Sequence, residues 1–318
     1  LQALKQRAFG KPPPFEGETI VMEIIPEKRS FPVRGAELAG RLYMPRNAEK
    51  PPVIVMAHGF GAEMAFGLEA FALRFVKEGI AVFAFDYRNF GESPGEPRNL
   101  VHPMRHLEDW AGALAFVRSL DSVDSSRIGL WGTSFSGGHV IVTAARDRKV
   151  KAVSSQIPFV DGMDAAANLG PAFVLKATAA GLKDVAGSIF GRPFFVPIVG
   201  APGQVAPINQ PGNLESYLDL VPENRRGVWQ NRCPARILLL APLYRPIRYA
   251  HLVRCPALVT IADRDNLVSP ATAALAASKM PDATVFHVDA DHFEPYKEPA
   301  FSKVADRQAE FFKETLKP

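Results

Sequence analysis

The run Ile128-Gly-Leu-Trp-Gly-Thr-Ser-Phe-Ser-Gly-Gly-His139 sets Ser134 among small residues, after one apolar stretch and before another. A serine hydroxyl becomes a nucleophile when a base takes its proton and donors hold the oxyanion its attack creates. The tip of a strand-to-helix turn meets the second need, because free N–H groups at a helix start point toward the developing charge. Such a turn needs small residues two positions before and after the nucleophile, and Gly132 and Ser136 stand there. A bare Gly-x-Ser-x-small string is also an ordinary loop, so its partners decide what it is.

The base must exchange protons near neutral pH, which selects histidine. Of seven histidines, His58 ends an apolar run in HGFG, His139 follows Ser134 in a helical stretch, and His287 alternates within ATVFHVD. His102 and His106 are four apart, a spacing open to a metal, but no third ligand accompanies them. His292 lies in DADHFEPY, directly beyond the last strand-like run. The carboxylates available after the preceding strand, in ALVTIADRDNLVSP, are Asp263 and Asp265.

Positioning these groups falls to a series of short β-rich runs alternating with helical stretches. Thr19 to Ile25 and Leu38 to Met44 read as an antiparallel lead-in turning at Arg34-Gly35. VIVMAH, IAVFAF, RIGLW, KAVSSQI, ALVTIAD and ATVFHVD follow as strands. Helices are expected over Phe66 to Glu78, where Gly79 stops the chain, and near 105–120, 135–145, 271–280 and 302–316. This βαβ series predicts an α/β fold with a parallel sheet between helices. The rhythm breaks after Pro158: residues 160–250 are rich in Pro, Gly and Ala and offer no convincing strand. They read as an inserted helical cap, leaving 1–159 and 251–318 as the core.

These features resemble the α/β-hydrolase superfamily, whose nucleophile elbow is Gly-x-Ser-x-Gly. The sequence departs from it at Ser136, with Gly137 and Gly138 following, and serine is small enough for the turn to survive. The resemblance implies an α/β-hydrolase fold: a mostly parallel central sheet flanked by helices, with an inserted helical cap. It implies a catalytic order Ser134, Asp265, His292, with the histidine on the loop after the last strand. The aspartate stands a few residues before Val268-Ser269-Pro270, which selects Asp265 and keeps Asp263 in reserve. The oxyanion donors are Phe135 N–H and, from the HGFG loop, Phe60 N–H. DYRNFGES resembles the Asp-x-Arg-Gly-x-Gly-x-Ser loop of many hydrolases, with Asn89 replacing a glycine, and its role is architectural. GTSFSGGH, VWQNRCPAR and APLYRPI are similar to the dienelactone-hydrolase-like and fungal polyketide-transferase-like branch. A dienelactone hydrolase proper uses cysteine, so that activity does not transfer.

The composition bounds the remaining possibilities. A chain of 318 residues, 47% hydrophobic, buries a full core, and 22% charged residues with a net charge of +4 leave no basic stripe for nucleic acid. No apolar run approaches the roughly 20 residues of a membrane span. LQALKQRAFGKPPPFEG lacks a secretory core, so a soluble, cytoplasmic protein is expected. Cys233 and Cys255 read as buried free thiols. GFGAEM also suggests a dinucleotide turn, but Met64 stands where that fingerprint wants Gly or Ala. No cofactor or metal is expected, and a homodimer is compatible with the sequence. The expected function is a serine hydrolase cleaving carboxylic esters through an acyl-enzyme. Transfer of the acyl group to an alcohol and a low-turnover ligand receptor are the alternatives. Phe60, Tyr87, Phe135, Phe159 and Met163 are candidates for an apolar substrate pocket under the cap.

Overall fold

The computed structural model describes residues 24–46, 48–167 and 169–317. Its first strand, β1 (Glu27–Val33), turns through Arg34 and Gly35 into β2 (Ala36–Tyr43). Both turn residues have positive φ, 50° and 82°, as in the two-residue turns whose twist matches paired strands. So short a turn fixes the register at Val33 opposite Ala36 and Phe31 opposite Leu38. The strand paired with β2 is therefore 27–33 rather than the expected 19–25, of which 19–23 lie outside the described residues.

The alternating series follows: β3 (Val53–Ala57), α1 (Leu68–Lys77), β4 (Ala81–Phe85), α2 (Pro103–Arg118), β5 (Ile128–Thr133), α3 (Phe135–Arg146) and β6 (Ala152–Gln156). Between β6 and the next strand of the main sheet, residues 160–250, expected as the insertion, carry α4 (Gly162–Ala167), α5 (Pro171–Ile189), β7 (Phe195–Val196), α6 (Asn213–Leu218), β8 (Cys233–Pro234) and α7 (Ile237–Leu240). The chain then returns through β9 (Ala257–Ala262), α8 (Pro270–Ser278), β10 (Ala283–Val288) and α9 (Ala300–Thr315). Among the described residues the main sheet runs β1-β2-β4-β3-β5-β6-β9-β10, antiparallel at β1–β2 and β2–β4 and parallel elsewhere.

Unbroken apolar runs make the central strands because both faces are covered, and successive side chains alternate between two cores. Val53 and Val55 of β3, Phe83 and Phe85 of β4 and Leu130 of β5 pack with Trp110 of α2 and Val140 of α3. Ile54, Met56, Val82 and Trp131 face the other way, onto Phe71 and Phe75 of α1 and Phe312 of α9. As expected, Gly79 ends the α1 stretch, in a left-handed conformation (φ 80°).

The insertion is not wholly helical: β7 and β8 pair antiparallel, two residues each. Strands that short, one of them containing Pro234, show no alternation that sequence could reveal. Cys233 is buried in β8 and Cys255 is half-buried before β9; both are free, and burial pushes the Cys255 thiol up to about 11.

One buried polar ladder ties the C-terminal helix to the strands that bear the site. Trp131 Nε1 donates to Gln308 Oε1 (2.8 Å), Gln308 Nε2 to Gln156 Oε1 (2.9 Å), and Gln156 Nε2 to Thr133 Oγ1 (3.2 Å). Thr133 in turn shares a hydrogen bond with the Tyr296 hydroxyl. Gln308→Leu strands the Trp131 N–H and the Gln156 carbonyl away from water, at a cost of about 2 kcal/mol. Denaturant unfolding checks this; an unchanged midpoint would show that the ladder adds nothing to stability.

Candidate active site

Ser134 sits between β5 and α3 with φ 55° and ψ −117°, a conformation that costs a non-glycine residue about 1–3 kcal/mol. Its neighbours hold it there. Ser134 N–H donates to Gln156 O (2.9 Å), and its carbonyl accepts from Phe159 N–H (2.9 Å). A Cβ on Gly132 would lie 2.3 Å from Ser136 O, and one on Gly138 would lie 2.2 Å from Phe159 O, so both positions require glycine. Ser136 fits because its buried Oγ lies 2.9 Å from the Tyr87 hydroxyl, which also accepts from Trp110 Nε1 (2.9 Å).

Residues far apart in the chain meet at this turn. His292 Nε2 lies 3.0 Å from Ser134 Oγ, and its Nδ1 lies 2.6 Å from Asp265 Oδ2. A carboxylate only accepts, so Nδ1 carries the proton and Nε2 is free to accept the serine's. The other carboxylate oxygen, Oδ1, takes the Leu267 and Val268 N–H groups at 2.8 and 2.9 Å, which orients the pair. The His292 and Asp265 side chains are both only 2% exposed, so water competes little for these bonds. Asp263 is elsewhere: it pairs with exposed His287 at 2.6 Å. Asp291 closes the turn carrying His292 by accepting from Phe293 N–H (2.7 Å) and Glu294 N–H (2.9 Å).

A model described as "Alpha/beta hydrolase family" matches residues 54–306. The chain belongs to the α/β-hydrolase family. It is 40% identical over 284 residues to the quorum-quenching protein AidA of Acinetobacter baumannii, covering 89% of this chain and 93% of that one. It is 28% identical over 242 residues to polyketide transferase af380 of Aspergillus fumigatus, covering 74% and 79%. Among solved structures, DcsB in complex with its substrate analogue superposes with a TM-score of 0.78 at 26% identity, covering 92% and 99%.

In this α/β hydrolase the HGFG loop after β3 passes so close to Ser134 that a Cβ on Gly59 would lie 3.2 Å from Ser134 Cβ. Among the described residues neither Phe60 N–H nor Phe135 N–H donates to a protein acceptor. Asp86 anchors the far end of the loop, taking Met64 N–H at 2.7 Å and Glu92 N–H at 2.9 Å. That is the architectural part expected of DYRNFGES.

Ser134 opens onto an apolar cavity of about 140 Å³ lined by Phe60, Phe135, Phe159, Phe173, Ile208 and Leu267, among others. A second chamber of about 30 Å³ lies on the His292 side, between Thr133, Tyr217, Phe293 and Tyr296. Phe159 lines this apolar cavity as expected, but Tyr87 and Met163 do not. Tyr87 is sealed in the core by Trp110, Ser136 and a stacked His106 ring at 4.0 Å. Met163, near the start of α4, is 50% exposed, and it is Ala165 and Ala166 of that helix that line the cavity. Sequence reasoning missed Tyr217 and Trp229, which lie against the HGFG loop. The available signal was two polar-tipped aromatics in a Pro- and Gly-rich insertion, since buried Tyr and Trp need hydrogen-bond partners.

Behind the elbow three imidazoles are fully enclosed. His106 Nδ1 lies 3.2 Å from His139 Nε2, and His139 Nδ1 lies 2.6 Å from the Tyr244 hydroxyl. Burial pushes His58 down to about 4 and His139 to about 3, and His106 falls well below its ordinary value, chiefly by burial and then by His139. All three stay neutral in the folded protein while the unfolded chain takes up protons near pH 6.5. Their contribution is complete above pH 6.5 and is lost as the pH falls toward about 4. Each steepens that fall by up to about 1.4 kcal/mol per pH unit. Denaturant midpoints compared at pH 7 and pH 4.5 should show this loss; equal midpoints would mean the imidazoles protonate without opening the fold.

Proposed function

We propose that the protein is a serine hydrolase cleaving carboxylic esters through an acyl-enzyme, with Ser134, His292 and Asp265 as nucleophile, base and orienting acid. The observation that carries this reading is the continuous path from Ser134 Oγ through His292 to Asp265, at 3.0 and 2.6 Å. Ser134 attacks the carbonyl carbon as His292 takes its proton, and the Phe60 and Phe135 N–H groups hold the oxyanion. His292 then protonates the leaving alcohol and afterwards deprotonates the water that releases the acid. Asp265 stabilises the transient imidazolium and fixes the tautomer.

The two chambers support a division of the substrate. A cavity near 140 Å³ takes a benzene-sized apolar group. It suits the acyl chain, with the insertion acting as its cap. The 30 Å³ chamber beside His292 admits water or a very small group, which favours hydrolysis over transfer to a bulky alcohol. Transfer stands as the second reading because a relative is named a polyketide transferase.

A fluorophosphonate probe should label the wild type, and Ser134→Ala should abolish both labelling and turnover. Asp265→Asn should lower kcat by roughly 10⁴, while Asp263→Asn leaves it within about twofold. Equal losses in the two would unseat Asp265. From p-nitrophenyl acetate to butyrate, two added methylenes at about 0.8 kcal/mol each should raise kcat/KM about tenfold. Adding a competing alcohol separates the two readings by product: acid alone supports hydrolysis, and a new ester supports transfer. Labelling without turnover across an ester panel would instead indicate a ligand receptor.

A further inference from the structure

Three successive carbonyls of the HGFG loop are each held by a ring side chain. His58 Nδ1–H donates to Gly59 O at 3.0 Å, the Tyr217 hydroxyl donates to Phe60 O at 2.8 Å, and Trp229 Nε1–H donates to Gly61 O at 3.0 Å. Only the first comes from the core; the other two reach in from the insertion. Two residues further on, Glu63 takes Arg225 Nε and Nη2 at 2.7 and 3.0 Å, again from the insertion. Beneath the loop, a Cβ on Gly61 (φ 68°) would lie 2.5 Å from Ile198, also of the insertion.

The holding residues are themselves braced. The Tyr217 and Trp229 rings stack at 5.7 Å, Phe66 meets Trp229 edge-on at 5.6 Å, and Phe293, next to His292, meets Tyr217 at 6.0 Å. Asn99 of the core grips the end of this stretch, donating to Gln230 O (2.9 Å) and Arg232 O (3.1 Å). Tyr217 and Trp229 are at most 9% exposed, so their hydrogen bonds are shielded from water.

A backbone N–H stabilises an oxyanion well only when its peptide plane is fixed before the charge develops. Phe60 is flanked by two glycines, and glycine-rich backbone left to itself spreads over many conformations. We infer that Tyr217 and Trp229 are positioning residues of the oxyanion hole: the insertion clamps the peptide planes on the C-terminal side of Phe60 N–H, as His58 clamps the one that bears it. This rests on the ester-cleaving reading, in which Phe60 N–H is an oxyanion donor. It makes the insertion a part of the catalytic geometry as well as a cover for the acyl cavity.

Tyr217→Phe keeps the stacked ring and removes the bond to Phe60 O; Trp229→Phe removes the bond to Gly61 O. Each should lower kcat on p-nitrophenyl butyrate about tenfold with KM within about twofold. Affinity for an alkyl boronic acid, whose tetrahedral adduct with Ser134 places an oxygen in the hole, should weaken in step with kcat. Amide hydrogen exchange over residues 58–66 should quicken in both variants, whereas Leu182→Gln on the exposed face of α5 changes none of these readouts. Wild-type kcat, boronate affinity and exchange in both variants would overturn the clamp. So would a rise in KM alone, which would make Tyr217 a substrate contact from its place in the small chamber. If the wild type neither labels nor turns over, the ester reading fails on its own. Exchange over 58–66 then decides the clamp, faster in the variants if it exists and unchanged if it does not. Either variant carries the test should the other fail to fold.

Discussion

The unfavourable backbone of Ser134 is the constraint on which the rest of the structure turns. A residue with a side chain persists at φ 55° only when its surroundings leave it no alternative. Here Gln156 O and Phe159 N–H hold both sides of its peptide, while Gly132 and Gly138 let other backbone approach to within contact. Gln156 ends β6, and its side chain sits in the ladder running to Gln308 and Thr133. The strained turn is thereby tied to the C-terminal helix that packs on one face of the sheet.

The same turn gathers the groups that meet at Ser134. Parallel β5 and β9 end on the same side of the sheet, so the loops after them bring Ser134 and Asp265 together, and the loop after β10 adds His292. Enclosure then matters as much as proximity. His292 and Asp265 are almost wholly shielded, and the carboxylate is satisfied by two amides as well as the imidazole. A charge buried without such partners would be strongly disfavoured.

The insertion departs most from a simple division into scaffold and lid. It shapes the apolar cavity beside Ser134 from one side, and through Tyr217, Arg225 and Trp229 it also grips the loop between β3 and α1. The core reciprocates through Asn99.

Local pattern in the sequence determined the βα alternation, the Arg34-Gly35 turn, the end of α1 at Gly79 and the glycine-flanked serine. Each of these depends on neighbouring residues alone: side-chain period, turn chemistry and steric room. The unbroken apolar runs likewise read as strands of a sheet set between helices. The choice of Asp265 over Asp263 came from a resemblance, and the structure brings Asp265 to His292 while Asp263 meets His287. Only the tertiary structure decided that Tyr87 is a core residue holding Ser136, that Met163 is half exposed, and that Tyr217 and Trp229 reach the HGFG loop. Such contacts join residues far apart in the chain, Tyr87 and Ser136 at a separation of 49 and Tyr217 and Phe60 at 157, where no local periodicity carries information. An aromatic side chain in an irregular segment announces that it will be buried, but not against what, because its partner is chosen by the packing of the whole chain.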